Sequence, residues 1–191
     1  MPVPAPNLYP DFNIIRVSHA ELIVTDLAAS RAFYADTLGL QVSFEDSEII
    51  CLRAMEERGH HCLVLRRGAE PSCSYLASRL FAEEDVDRAA AHFTAKGLAV
   101  EWVERPFQGR TLRVRDPHGI PLEFYFEMQR LPTLHQQYAL YKGVKPLRID
   151  HFSCVSPQVD DSVAFYNDMG FRTTEYTEDQ ETGRLWAAWM H

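Results

Sequence analysis

Two stretches decide how this chain folds: His19-Ala20-Glu21-Leu22, with Phe33-Tyr34 fourteen residues after the histidine, and His151-Phe152-Ser153-Cys154, with Phe165-Tyr166 at the same interval. An acidic residue follows each pair, Asp36 or Asp168, and then a glycine before a bulky apolar residue, Gly39-Leu40 or Gly170-Phe171. Self-similarity at so long a period signals an architecture assembled from repeated supersecondary units.

Around the first copy, residues 19–24 alternate as a strand does. Asp26 suits an N-cap, Leu27, Phe33, Tyr34 and Leu38 give the next helix an apolar side, and Gly39 suits the position just past its end. Residues 41–44, 48–53 and 61–65 read as three strands, so 14–67 is one βαβββ unit. A second unit occupies 73–128: a strand over 75–81, a helix with Val86, Ala89, Ala90 and Phe93 at helical spacing and Gly97 as its stop, then strands over 100–104, 111–115 and 122–126. The turn-forming Asp116-Pro117-His118-Gly119 separates the last two. Residues 129–146 read as a linker helix. The second copy opens a third unit over 147–191, with a strand through Val155, a helix over 159–169, and strands over 171–176 and 184–190. The fold class expected is therefore α+β, with tandem βαβββ modules, two complete and one incomplete.

A formal net charge of −8 argues against nucleic acid or an anionic membrane as partner, since both require a cationic face. No apolar run approaches the roughly 20 residues that span a bilayer, and residues 1–11 have neither a basic nor an apolar signal region. A small-molecule ligand and a cytoplasmic setting are expected. Cys51, Cys62, Cys73 and Cys154 form no C-x-x-C pair and read as buried free thiols.

The elements His19 to Val24, Phe33-Tyr34, and Asp116-Pro117-His118-Gly119-Ile120-Pro121-Leu122-Glu123 resemble those of the vicinal oxygen chelate superfamily. Asp150-His151-Phe152 and Ala187-Ala188-Trp189-Met190-His191 resemble, within it, the type I extradiol ring-cleaving dioxygenases of the homoprotocatechuate type. The resemblance implies four units in two domains, with metal bound only in the second, by two histidines and a glutamate. His151 matches the first ligand; the other two, and the family's acid-base histidine, would fall after residue 191. It further implies iron(II), or manganese(II) as in some relatives, with dioxygen as co-substrate, a catechol as substrate, homo-oligomeric assembly and ring opening to a semialdehyde. A 2-His-1-carboxylate face suits this chemistry because it leaves positions open for two catecholate oxygens and dioxygen. Trp189 matches a pocket-lining aromatic. Ser153, on the same strand face as His151, stands where relatives carry Asn.

In the first two units the matching positions are His19, Tyr75 and Glu123. Tyr75 replaces a histidine, so these read as the vestige of a duplicated site. The rival readings are a glyoxalase-like or resistance-type metalloenzyme, using His19 and Glu123 across a dimer, and a metal-free binding or assembly module. His60-His61 immediately precede a strand, where adjacent residues point to opposite faces, and read as unable to chelate one metal comfortably. Glu83-Glu84-Asp85 and Asp160-Asp161 read as helix N-terminal charge, and His191 as a non-ligand. With one ligand of three, the 191 residues are expected to be inactive alone, with an unpaired strand edge at 185–190.

Overall fold

The computed structural model describes residues 3–191. The first unit is β1 (Ile14–Val24), α1 (Leu27–Arg31), β2 (Gln41–Glu45), β3 (Ile49–Arg53) and β4 (Leu63–Arg67). Asp26 caps α1, its Oδ1 accepting from Ala29 N at 2.9 Å, and the helix continues as a π-helical turn over Ala32–Thr37. The second unit is β5 (Ser72–Leu80), α2 (Glu83–Ala95), β6 (Glu101–Val103), β7 (Thr111–Arg115) and β8 (Pro121–Tyr125). The acidic first turn of α2 carries Asp85, whose side chain accepts from Ala82 N.

The eight strands form one sheet in the order β2-β3-β4-β1-β5-β8-β7-β6. Each unit closes on its own first strand by a parallel pairing, β1 with β4 and β5 with β8. The units join where β1 and β5 run antiparallel. The fold is thus α+β, built of βαβββ units as the repeat predicts.

Strand alternation sorts the side chains onto two faces. On one face Leu27 and Ala35 pack over Ala20, Leu52, Leu63 and Leu65, while Val86, Ala89 and Phe93 of α2 pack over Leu80, Leu112, Leu122 and Phe124. The other face, described below, is largely polar and nonetheless buried.

The third unit contributes α3 (Val159–Asp168), β9 (Thr173–Glu178) and β10 (Leu185–Met190), the two strands paired only with each other. It docks on the second unit through the chain's first residues. Phe12, fully buried, joins Phe93, Phe124 and Met169. Asn7 Nδ2 donates to Asp168 O, and Asn167 Nδ2 donates to Ala5 O. Lys96 Nζ lies 2.8 Å from Asp168 Oδ2.

Three expectations are corrected. Residues 129–146 form no linker helix; their one helical piece is a 3₁₀ turn, Tyr138–Leu140. Pro132 and Pro146 remove amide donors, and Gln136, Gly143 and Lys145 adopt left-handed backbone that a helix excludes. Residues 147–155 form no strand, because their polar groups and apolar side chains turn to the first unit instead of a ladder. Met55 N donates to Pro146 O and Glu56 N to Leu147 O, while Ile149 and Phe152 pack on that unit's core. Lastly, Cys51 and Cys62 are buried free thiols, but Cys73 and Cys154 are exposed; Cys73 is the second residue of β5 and Cys154 lies in the unpaired segment.

Candidate functional site

The register across the central strands fixes what the polar face contains. His19 of β1 is opposite Ala77 of β5, which is opposite Glu123 of β8, and Glu21 is opposite Tyr75. His19, Tyr75 and Glu123 therefore share one face of three adjacent strands, as the vestigial-site reading requires, and all three are buried.

Their chemistry is committed elsewhere. Glu123 Oε2 accepts from Arg105 Nε at 3.0 Å, and Oε1 accepts from Arg105 Nη2 at 2.5 Å and Arg113 Nη2 at 2.6 Å. The Arg105 guanidinium also lies 4.6 Å over the Tyr75 ring. Arg66 Nη2 donates to Glu21 Oε2 at 2.9 Å. Burial, then the nearby Glu21 and Glu123 carboxylates, raises the Tyr75 phenol above its usual range. What space is left, lined by Glu21, Cys51, His61, Arg66, Tyr75 and Arg105 among others, is about 10 Å³, room for roughly one water. With two guanidinium cations on its oxygens, Glu123 is already charge-compensated, and a divalent ion there would have to displace Arg105 or Arg113, so the dimer-site reading built on His19 and Glu123 requires breaking that cluster.

His19 is held neutral. Burial, then the neighbouring His61 and Arg105, pushes its pKa well below the ordinary value. A register irregularity between Val17 and His19 brings Ser18 to the same side, where Ser18 Oγ hydrogen-bonds the Tyr125 hydroxyl and sits 3.2 Å from His19 Nδ1. His19 Nε2 is buried with no partner. Its ring packs edge-on against His61 at 4.6 Å.

The His60-His61 expectation is overturned at this point. Neither residue lies in β4; both sit in the bend before it, where strand alternation does not apply. Their Nδ1 atoms approach to 3.1 Å. With Cys51 Sγ from β3 they form a buried trio whose ligand atoms all lie within 4.8 Å of one another. His60 stacks at 3.7 Å on Phe107, carried over from the second unit by a loop with left-handed backbone at that residue.

The third unit presents a different picture. The His151 side chain is 80% exposed, with Nδ1 3.2 Å from Asp150 Oδ2. Ser153 is exposed in the same unpaired segment, and Trp189, 53% exposed, stands on β10 opposite Glu175. Among the described residues, His151 belongs to no group of three side chains that could hold a metal. Glu21, Arg66, Arg105 and Arg113 were not anticipated from the sequence. Their signal was indirect: buried carboxylates demand paired cations, and the register puts Arg113 directly opposite Glu123 and Arg66 two residues beyond Val64, the residue opposite Glu21.

Comparison with known proteins gives this geometry its relatives. Residues 16–124 match the model of the Glyoxalase/Bleomycin resistance protein/Dioxygenase superfamily. The chain belongs to that superfamily. Within it, the chain is 44% identical to homoprotocatechuate 2,3-dioxygenase from Brevibacterium fuscum, solved with 3,4-dihydroxyphenylacetate, with a TM-score of 0.91 over 99% of this chain and 60% of that one. The Arthrobacter globiformis homoprotocatechuate 2,3-dioxygenase is similar at 41% identity and TM-score 0.91, covering 99% of this chain and 59% of that one. A manganese-dependent 2,3-dihydroxybiphenyl 1,2-dioxygenase from Geobacillus genomosp. 3 is 30% identical over 93% of this chain and 60% of the relative. The chain thus spans about 60% of the length of these superfamily members. No helix among the described residues is long and apolar enough to cross a membrane.

Proposed function

We propose that this chain is part of an extradiol ring-cleaving dioxygenase that opens 3,4-dihydroxyphenylacetate beside its diol, both atoms of dioxygen entering the ring-opened semialdehyde. The observation that carries this reading is the 44% identity, with a TM-score of 0.91 across 99% of the chain, to an enzyme solved with that catechol. In this reading residues 14–67 and 73–128 are the two modules of a metal-free N-terminal domain, 129–146 link it onward, and 147–191 open the metal-binding domain. Its setting is the cytoplasm, in keeping with two buried free thiols, and it works as a homo-oligomer.

The metal, iron(II) or manganese(II), would supply a site where catechol and dioxygen meet. A facial triad needs two histidines and a carboxylate. The residues present do not fit that need by themselves: His151 is one ligand, exposed, with Asp150 as its neighbour. We assign His151 as the first metal ligand, and Ser153 and Trp189 to the substrate side. The 191 residues alone are then inactive. The first two units serve as a rigid platform, their own copy of the site filled by Arg105 and Arg113.

The test supplies iron(II) or manganese(II) and 3,4-dihydroxyphenylacetate without oxygen, admits oxygen, and follows the yellow semialdehyde. The chain alone should stay colourless. A chimera carrying the remaining portion of the Brevibacterium fuscum enzyme should turn over, and lose activity on His151→Ala. Full activity of that His151→Ala chimera would overturn the ligand assignment; a well-folded, metal-loaded chimera inert toward every catechol would overturn the function.

A further inference from the structure

We infer that Cys51, His60 and His61 form a binding site for a thiophilic divalent ion of the zinc(II) class, on the first unit and separate from the His151 centre. The trio supplies one thiolate and two imidazole nitrogens, the donor set that zinc sites select. Zinc–sulfur and zinc–nitrogen bonds of about 2.3 and 2.0–2.1 Å place tetrahedral ligand atoms about 3.3–3.6 Å apart. The trio's atoms already lie within 4.8 Å, and the two Nδ1 atoms within 3.1 Å. An ion therefore requires side-chain adjustments of about an ångström, with no rearrangement of β3 or β4.

The surroundings favour occupancy in three ways. All three side chains are buried, at 2%, 3% and 5% exposure, so the ion would be shielded from competing water. Both histidines are held neutral, which leaves lone pairs for a cation; burial, then His60, pulls His61 down to about 3, and burial lowers His60. The small cleft beside Glu21, lined by Cys51 and His61, adjoins the trio and puts the Glu21 carboxylate on the same side. His19, packed on His61, adds a further buried nitrogen without a partner.

The proton count follows from the thiol. Burial pushes Cys51 up to about 12, so the metal-free residue is a thiol, and binding replaces its proton with the ion, releasing it to solvent. The single proton between the two histidine Nδ1 atoms moves to Nε2 of the ring that carries it, with no net release.

Cobalt(II) is the probe, added to the chelator-treated 191-residue chain in a Cys73→Ser/Cys154→Ser background that removes the exposed thiols. One equivalent should bind with a near-ultraviolet thiolate-to-cobalt charge-transfer band, which zinc(II) should displace. Cys51→Ser should abolish the band, while His151→Ala should leave it intact. If Cys51→Ser fails to fold, His60→Gln, altered in a bend, carries the test and should weaken binding at least about tenfold. Absence of the band, its persistence in Cys51→Ser, or unchanged affinity in His60→Gln would overturn the inference. None of these results depends on the dioxygenase reading.

Discussion

Removal of the Glu123 carboxylate should be the most damaging single change to the first two units. Glu123 is fully buried, while the Arg105 and Arg113 side chains are 17% and 21% exposed. Truncation to alanine leaves two desolvated guanidinium groups facing each other with no counter-charge. Removing one partner from a buried ion cluster costs about 3–5 kcal/mol. For a chain of this size each kcal/mol lowers the midpoint by about 2–4 °C, so Glu123→Ala should melt roughly 6–20 °C lower. Glu123→Gln retains one acceptor oxygen and should fall between. The companion variant Glu123→Leu/Arg105→Leu/Arg113→Leu removes every charge together, and should cost less than Glu123→Ala, because apolar replacement of a whole buried cluster is often near neutral. Thermal melts followed by circular dichroism, with urea titrations for the free energies, read both effects. A Glu123→Ala loss below about 1 kcal/mol, or a triple variant worse than the single, would refute the claim that this carboxylate serves only to neutralise its arginines.

Further outcomes follow from other parts of the molecule. A thiol reagent should modify two cysteines in the native chain, Cys73 and Cys154, and all four after denaturation, because burial pushes Cys51 and Cys62 up to about 12; four fast-reacting native thiols would contradict the packing. His19 and His61 stay neutral when folded but titrate near 6.5 when unfolded. The unfolded chain therefore gains protons first as pH falls. Stability should be full above pH 6.5 and decline toward pH 3, by at most roughly 1.4 kcal/mol per pH unit for each histidine, and His61→Gln should flatten the slope of urea midpoint against pH. Gly143→Ala should destabilise by about 2 kcal/mol or more, since Gly143 has φ 53° and a Cβ there would overlap Thr37 O; a neutral melt would refute that. His151→Ala in the chain alone should change stability by less than about 0.5 kcal/mol, given its exposure.

Much of the fold was legible because its signals are local. The apolar spacing of Val86, Ala89 and Phe93 and the capping by Asp26 specify helices irrespective of what lies around them. The repeat pointed to βαβββ units, and the family resemblance singled out His19, Tyr75 and Glu123, which the strand register sets on one face. Residues 147–155 misled because alternation reports an extended preference, whereas a strand also needs a neighbour with which to share hydrogen bonds. Residues 129–146 misled because left-handed backbone at Gln136 and Lys145, which ends a helix, has no reliable mark in the sequence at non-glycine positions. The Cys51, His60 and His61 trio was hidden by carrying strand alternation into residues 60–61, which lie in the bend before β4, where alternation does not hold. Arg105 and Arg113 were invisible because their partner is distant in sequence, and only a buried carboxylate in need of cations points to them.

The docking of residues 5–12 against α3 has a consequence for synthesis. Asn7 waits for Asp168, and Asn167 for Ala5, across 161 and 162 positions of chain. At roughly 5–20 residues per second, the ribosome needs about 8–30 s to make that interval. Through this period Phe12 has no Met169 to complete its surroundings, although the α2 and β8 side of its niche is already made. Residues 5–12 are therefore among the last parts of these units to settle. A chain ending near residue 150 should expose residues 5–12 to proteases and chaperones, and the released 191-residue chain should hide them.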